Sequence, residues 1–61
     1  MYLVVSLFTG MTLKKTKSLS EAIHFCDYLT EAYVCQNKVI IYLNKNGERY
    51  DSPEAIARLD L

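Results

Sequence analysis

The sequence has few of the residues that build chemical sites. Its 61 residues include two glycines, one proline, two cysteines, one histidine and no tryptophan. The formal net charge at pH 7 is zero, so no overall field attracts the chain to nucleic acid or to an anionic membrane. Both glycines, Gly10 and Gly47, fall in predicted turns, which leaves none for a phosphate-binding loop.

The two cysteines, Cys26 and Cys35, are too few for the disulfide scaffold of a small secreted protein, and their spacing matches no common metal or redox motif. We therefore expect free thiols in a cytoplasmic protein, with no metal and no cofactor. The apolar run at residues 1–8 is far shorter than the roughly 20 residues of a membrane-spanning helix, and no basic residues precede it as in a signal peptide. We expect no membrane association.

Apolar residues make up 51% of the chain and charged residues 23%, a composition that excludes a disordered tail. The length predicts a single small domain over residues 1–61. A domain of this size buries only about 60% of the surface that its unfolded chain exposes. Since disulfides and metals are not expected, a partner subunit is the leading candidate for additional stability.

The first part of the sequence predicts a β-hairpin. Residues 2–7 alternate in the way of a strand, and a three-residue loop at 8–10 places Gly10 in the left-handed position. This register pairs Val5 with Leu13 and collects an apolar set on one face. That set is Leu3, Val5, Leu7, Met11 and Leu13.

A helix should follow the hairpin. Ser18, with Glu21 three residues later, forms a capping-box pattern, and we place the helix end near Tyr33. One stripe of the helix is apolar, and we expect it to pack on the apolar set of the hairpin. The stripe consists of Leu19, Ala22, Ile23, Cys26, Leu29 and Tyr33.

The second part repeats these signals. Residues 38–44 read as a strand, the Asn46-Gly47 turn pairs Leu43 with Tyr50, and Ser52-Pro53 starts a short helix. The predicted fold is therefore α+β: a four-stranded antiparallel sheet with one long helix packed on one face and a short C-terminal helix, in the order ββαββα.

The other face of this sheet is predicted to be open and unusually apolar, with tyrosines suited to a surface that becomes buried on binding. The alternative is that the short C-terminal helix covers it. Along this face lie Tyr2, Val4, Ser6, Thr12, Lys14, Ile40, Tyr42, Asn44 and Arg49. The partner-binding residues that we predict from this set are Tyr2, Val4, Lys14, Ile40, Tyr42 and Arg49.

Catalysis is not expected. The candidate groups on the helix are His24, Cys26, Asp27, Tyr28 and Glu31. Cys26 points away from His24, since two helical positions differ by roughly 200° at about 100° per residue, which argues against a Cys-His nucleophile pair. Two thin layers also leave little room for a pocket that would hold a small-molecule substrate.

The leading hypothesis is a non-catalytic protein-binding module that acts by occupying a surface. Self-association into a homodimer through Tyr2, Val4, Ile40 and Tyr42 is its simplest form. In size and class the chain resembles small accessory proteins of bacteriophages and mobile elements. That resemblance implies an inhibitor of a host or defence protein.

Two alternatives remain. The same face could bind single-stranded nucleic acid, with Tyr2 and Tyr42 stacking on bases. The side chains placed on phosphates are then Lys14, Lys15, Lys17, Lys45 and Arg49. The absence of an RNP-type aromatic pattern and the zero net charge favour protein binding. A small subunit of a larger complex is a third possibility.

Overall fold

The computed structural model describes residues 1–59; Asp60 and Leu61, which end the predicted domain, lie outside the described residues. Residues 1–59 form five strands and two helices. These are β1 (Tyr2–Ser6), β2 (Thr12–Thr16), α1 (Leu19–Leu29), β3 (Glu31–Gln36), β4 (Val39–Lys45), β5 (Glu48–Tyr50) and α2 (Pro53–Ala57). The strands form one antiparallel sheet in the order β2-β1-β3-β4-β5. The predicted α+β class is confirmed, but the sheet has five strands instead of four.

Hairpin 1, formed by β1 and β2, has nearly the predicted register. Val4 pairs with Lys14, as expected from the loop that places Gly10 at a φ of 73°. A bulge next to this pair brings Thr12, instead of Leu13, opposite Val5. The bulge shortens the regular part of the hairpin, so residues 7–11 form the turn.

Helix α1 begins as predicted and ends earlier. The Ser18 hydroxyl caps it by accepting a hydrogen bond from the Glu21 N–H at 3.3 Å. At its other end, Thr30 has a left-handed φ of 64°, and its N–H donates to the Cys26 carbonyl at 3.1 Å. A left-handed residue in this position closes the last helical turn, so the helix stops at Leu29 and does not reach Tyr33.

The residues after Thr30 form β3, the strand that the sequence analysis missed. β3 lies in the middle of the sheet: Val34 pairs with Val4 of β1 on one side and with Tyr42 of β4 on the other. Asn37 and Lys38, both with positive φ, make the tight turn from β3 to β4. The predicted order ββαββα is therefore corrected to ββαβββα.

The last hairpin and the second helix start agree with the prediction. Leu43 pairs with Tyr50, and the Asn46-Gly47 turn has positive φ at both positions, as a two-residue hairpin turn requires. Ser52 caps α2 by accepting a hydrogen bond from the Ala55 N–H at 3.1 Å.

The main core lies between α1 and one face of the sheet. The helix contributes Ala22 and Cys26. The sheet contributes Val4, Ala32, Val34 and Tyr42. Ala32 and Val34 of β3 are small enough for the helix to pack closely on the sheet. Most side chains of this core are fully buried.

The opposite face carries a smaller cover. Leu43 and Val5 are buried but do not belong to the cluster beneath α1, and α2 contacts β4. None of the α2 residues is itself buried. Neither helix within residues 1–59 combines the length and the apolar character that crossing a membrane would take.

Candidate interaction surface

Most of the predicted partner-binding residues lie on the face that α1 covers. Val4 is 0% exposed and Tyr42 is 6% exposed, and Tyr2 packs against the same core. The prediction that these side chains lie on an open face is therefore wrong. Alternation along β1 groups the residues of each face correctly, but both groups are apolar, so it does not decide which face the helix covers.

Ile40 is separated from the other predicted residues. A bulge in the β3–β4 ladder pairs Ile40 with Cys35 and Tyr42 with Val34. Since Val34 faces α1 and successive strand residues point to opposite sides, Cys35 and Ile40 lie on the other face. The six predicted residues do not form one surface.

Lys14 lies beside α1 and is already engaged. Its Nζ is 3.1 Å from Glu21 Oε1 and 5.3 Å from the centroid of the Phe25 ring. The ion pair is partly exposed and so contributes at most about 1 kcal/mol. The pair matters more for binding, because Glu21 partly neutralises the charge that Lys14 would offer to a partner.

Arg49 belongs to a polar cluster centred on Asp27. The Asp27 Oδ1 accepts hydrogen bonds from the Tyr42 hydroxyl at 2.5 Å and from the Asn44 side-chain N–H at 3.2 Å. Its Oδ2 lies 3.8 Å from the Arg49 guanidinium. Asn44 Oδ1 in turn accepts a hydrogen bond from the Gly47 N–H at 3.0 Å. This cluster ties α1 to the last hairpin of the sheet.

The same cluster fixes the protonation of Tyr42. Burial, followed by the hydrogen bond to the Asp27 carboxylate, raises the pKa of Tyr42 well above its ordinary value of 10. The hydroxyl therefore remains a donor at every physiological pH. Because the ring lies beneath α1, it is not available to stack on a nucleic-acid base as the alternative hypothesis requires.

The polar groups that the sequence analysis placed on the helix lie on two different elements. Among residues 1–59, no three His, Cys, Asp or Glu side chains come together as potential metal ligands. His24 and Tyr28 are exposed on the outer side of α1. Glu31 lies in β3 instead of the helix, and its carboxylate accepts a hydrogen bond from the Asn46 N–H at 3.0 Å.

Cys26 is a core residue. Its thiol donates to the Ala32 carbonyl at 3.1 Å, and burial raises its pKa from 9.0 to about 11. Reactive cysteines have a lowered pKa and an accessible sulfur, so Cys26 has the properties of a structural thiol. Both Cys26 and Cys35 are free.

The face opposite α1 is covered in part: Val5 and Leu43 are buried on it, whereas Tyr33 and Ile40 are half-buried. α2 contacts β4, and Ile56 of α2 and Leu59, which follows the helix, are also half-buried. At the edge, the Tyr50 hydroxyl donates to Glu48 at 2.8 Å, which raises the pKa of Tyr50. The predicted alternative, in which the C-terminal helix covers the face that carries Tyr42, is wrong, because α1 packs on that face.

Three of the seven large exposed apolar side chains among residues 1–59 occur at hairpin 1. Phe8 is 82% exposed, Met11 64% and Leu13 47%. Phe8 and Met11 lie in the turn, and Leu13 lies at the bulge that follows it. We call these three residues the hairpin 1 patch. Exposed apolar side chains that occur together mark interaction sites more often than single ones do.

Other large exposed apolar residues lie elsewhere. Tyr28 is on the outer side of α1. Met1, Leu19 and Val39 lie at the opposite end of the sheet, because Tyr2 pairs with Thr16 far from the hairpin 1 turn. The hairpin 1 patch is thus distinct from these positions.

The hairpin 1 turn is held in shape by its own side chains. The Ser6 hydroxyl accepts hydrogen bonds from the Phe8 and Thr9 N–H groups at 3.1 and 3.3 Å. The Thr9 hydroxyl accepts one from the Met11 N–H at 3.2 Å. These bonds occupy the backbone donors on both sides of the exposed side chains. The turn therefore presents Phe8 and Met11 in an ordered conformation.

Sequence reasoning missed the hairpin 1 patch because it placed Met11 and Leu13 on the helix-covered face. The available signal was the position of Phe8 and Met11 on either side of Thr9-Gly10, in a turn where side chains extend beyond the sheet. Comparison of the chain with protein-family models, with curated proteins and with solved structures gives no match.

Proposed function

We propose that the protein is a non-catalytic protein-binding module that acts by occupying a partner's surface through the hairpin 1 patch. The single observation that carries this proposal is the concentration of Phe8, Met11 and Leu13 as exposed side chains in six consecutive residues. Aromatic residues and methionine are enriched in the buried centres of protein interfaces.

The ordered turn supports this function. A flexible loop loses conformational entropy when it binds, whereas a turn already held by Ser6 and Thr9 loses less. Phe8 and Met11 are therefore suited to act as anchors that enter a pocket of the partner. A module of this kind blocks whatever its partner would otherwise contact there. Inhibition is thus the mode of action that we propose, in line with the resemblance to phage accessory proteins.

Self-association at the predicted positions finds no support. Val4 and Tyr42 lie beneath α1, so a dimer through them would require the helix to leave its own core. The free cysteines suit the reducing cytoplasm, where we propose that the module acts.

The experiment compares wild type with the double variant Phe8→Ser/Met11→Ser. Tyr28→Ser is the matched control, because Tyr28 is 80% exposed on α1 and away from the hairpin. Each protein is immobilised and exposed to a lysate of the native host, and a captured protein is identified, purified and titrated by calorimetry.

Wild type and Tyr28→Ser should bind the purified partner equally. The double variant should bind at least about 30-fold more weakly, since two anchor residues contribute roughly 1–2 kcal/mol each. Equal affinity of all three proteins contradicts the proposal. So does the recovery of oligonucleotides whose binding falls steeply with salt, which would support the nucleic-acid alternative.

A further inference from the structure

The two edges of the sheet differ in what they offer. β5 has only three residues and is followed by the Ser52 cap of α2. β2 has five residues, and among the described strands only β1 pairs with it. An edge strand presents a row of unpaired N–H and C=O groups to which another chain can add a strand. β2 is the longer of the two edges, and the hairpin 1 patch continues directly from it.

The charges along β2 are not equivalent. Lys14 faces α1 and is paired with Glu21. Lys15 is exposed, and within residues 1–59 neither it nor Lys17 forms an ion pair. The free edge thus combines the apolar Leu13 with two unneutralised positive charges.

We propose that an extended segment of the partner, carrying acidic side chains, pairs with the free edge of β2 and continues onto the hairpin 1 patch. This inference rests on the proposed function, because it specifies how the same surface is bound. Main-chain hydrogen bonds to β2 would orient the segment, and its carboxylates would lie near Lys15 and Lys17.

A second copy of this chain fits the edge poorly. When two β2 strands pair antiparallel about a two-fold axis at the centre of the strand, Lys14 of one copy lies opposite Lys14 of the other and the two Lys15 side chains lie close by. Like charges facing one another across a pair of strands are destabilising, and edge lysines are a common defence against self-pairing. The same lysines favour a partner strand of opposite charge.

The size of the patch also favours strand addition. Standard interfaces bury about 800 Å² per partner, far more than three side chains provide. A segment that pairs with residues 14–16, beyond the bulge of β2, adds main-chain contacts to the anchoring by Phe8 and Met11. The edge and the patch together therefore form one elongated site.

The probe is a random peptide library whose members are long enough to span β2 and its turn, selected on wild-type protein. Selected peptides should be rich in Asp and Glu alternating with apolar residues, as in a strand. The best peptide is then synthesised with N-methyl groups at every second residue, in two versions. One version blocks the main-chain donors that face β2 and should lose at least about tenfold in affinity, or about 1.4 kcal/mol. The other version blocks the donors that face away from β2 and should bind as the unmodified peptide does.

Charge is tested separately by Lys15→Glu. This variant should weaken binding of the acidic peptide at least about tenfold and prefer a version in which Lys replaces Glu. The matched control is Lys38→Glu in the β3–β4 turn, which should bind as wild type does. Hydrogen exchange measured by NMR should show new protection of β2 amides when the acidic peptide is bound.

The two proposals fail in different ways. If the library yields no acidic preference, or if both N-methylated peptides bind fully, the strand-addition inference is overturned. A loss of partner binding in Phe8→Ser/Met11→Ser would still uphold the proposed function in that case. A salt-resistant homodimer that protects the β2 amides without any peptide would also overturn the inference, because a second copy would be the occupant.

Discussion

The two helices begin in the same way but bury very different amounts of surface. Each has a serine N-cap that accepts a hydrogen bond from the backbone N–H three residues later. α1 then continues for 11 residues and contributes Ala22 and Cys26 to the core, whereas α2 has five residues and none is buried. The start signal therefore determines where a helix begins, and its length and apolar stripe determine how much it stabilises the fold.

The faces that the helices cover differ as well. Both ion pairs found in residues 1–59 lie on the α1 side, where helix carboxylates reach Lys14 and Arg49 of the sheet. The α1 side also holds the hydrogen bonds of Asp27 with Tyr42 and Asn44. Packing and polar contacts thus specify the position of α1 together, whereas neither ion pair within residues 1–59 involves α2.

The largest expected difference is between Ala22 of α1 and Ala55 of α2. Ala22→Glu places a charge in the core with no partner, which costs more than about 4 kcal/mol. A domain of this size has a total stability of roughly 3–9 kcal/mol, so we expect little or no folded protein. Ala55→Glu lies on α2, where no residue is buried, and should change the free energy of unfolding by less than about 1 kcal/mol.

Urea denaturation followed by circular dichroism measures both variants. Ala22→Ser is the control, because it keeps the site small and leaves out the charge. A cooperative transition in Ala22→Glu at nearly the wild-type urea concentration would contradict the assignment of α1 as the helix that forms the main core.

Alkaline pH should lower the free energy of unfolding, mainly through two groups on the α1 side, Cys26 and Tyr42. The unfolded chain loses the Cys26 proton near pH 9, whereas burial keeps that proton bound in the folded state to about pH 11. Over this window the unfolded state binds fewer protons, so the free energy of unfolding falls as pH rises, by up to about 1.4 kcal/mol per pH unit and about 3 kcal/mol in total. The raised pKa of Tyr42 extends the fall above pH 10 in the same direction.

Urea titrations from neutral pH to about pH 11 measure this slope. Cys26→Ala should reduce the slope between pH 9 and pH 11, whereas Cys35→Ala, the matched control, should retain it. If Cys26→Ala and Cys35→Ala lost stability equally steeply between pH 9 and pH 11, the raised pKa of Cys26 would not be the cause of the slope.

The smallest expected difference concerns the two caps. Ser18→Ala should lower the free energy of unfolding by about 1 kcal/mol, the usual cost of losing an N-cap. Ser52→Ala should lower it by less than about half of that, because α2 can unfold locally without disrupting the core. Matched urea denaturation of the two variants gives both values. Equal losses would indicate that α2 unfolds together with the rest of the domain.

Local signals predicted the turns and helix starts well. Gly10, Asn46-Gly47, Ser18 and Ser52 all occupy the positions that their chemistry favours. Each of these features depends on a few neighbouring residues, and the two-residue turn also fixed the register of the last hairpin.

Strand β3 was missed because a helical pattern continues across it. Tyr33 follows Leu29 by four residues and extends the apolar stripe, but the left-handed Thr30 ends the helix between them. Tyr33 and Val34 favour strands, and Asn37 and Lys38 form a tight turn directly after β3. These signals were present, but the pairing of β3 with β1 joins residues that are distant in the sequence.

The sheet face that α1 covers was predicted wrongly because it carries polar residues. Polar residues such as Lys14 and Asn44 made the Tyr42 face look solvent-exposed. The structure shows that Glu21 and Asp27 of α1 supply their partners, so polar residues on a strand do not by themselves indicate an open face. The candidate surface was therefore predicted at the wrong positions, and the bulge in hairpin 1 separates Leu13 from the set that had been grouped with Val5.

Because β3 lies between β1 and β4, both halves of the chain contribute strands to the sheet. Everything before Thr30 supplies two strands and the long helix, and everything after it supplies the other three strands. A chain severed at Thr30 would give two fragments that recover the core only as a heterodimer, joined along the β1–β3 seam.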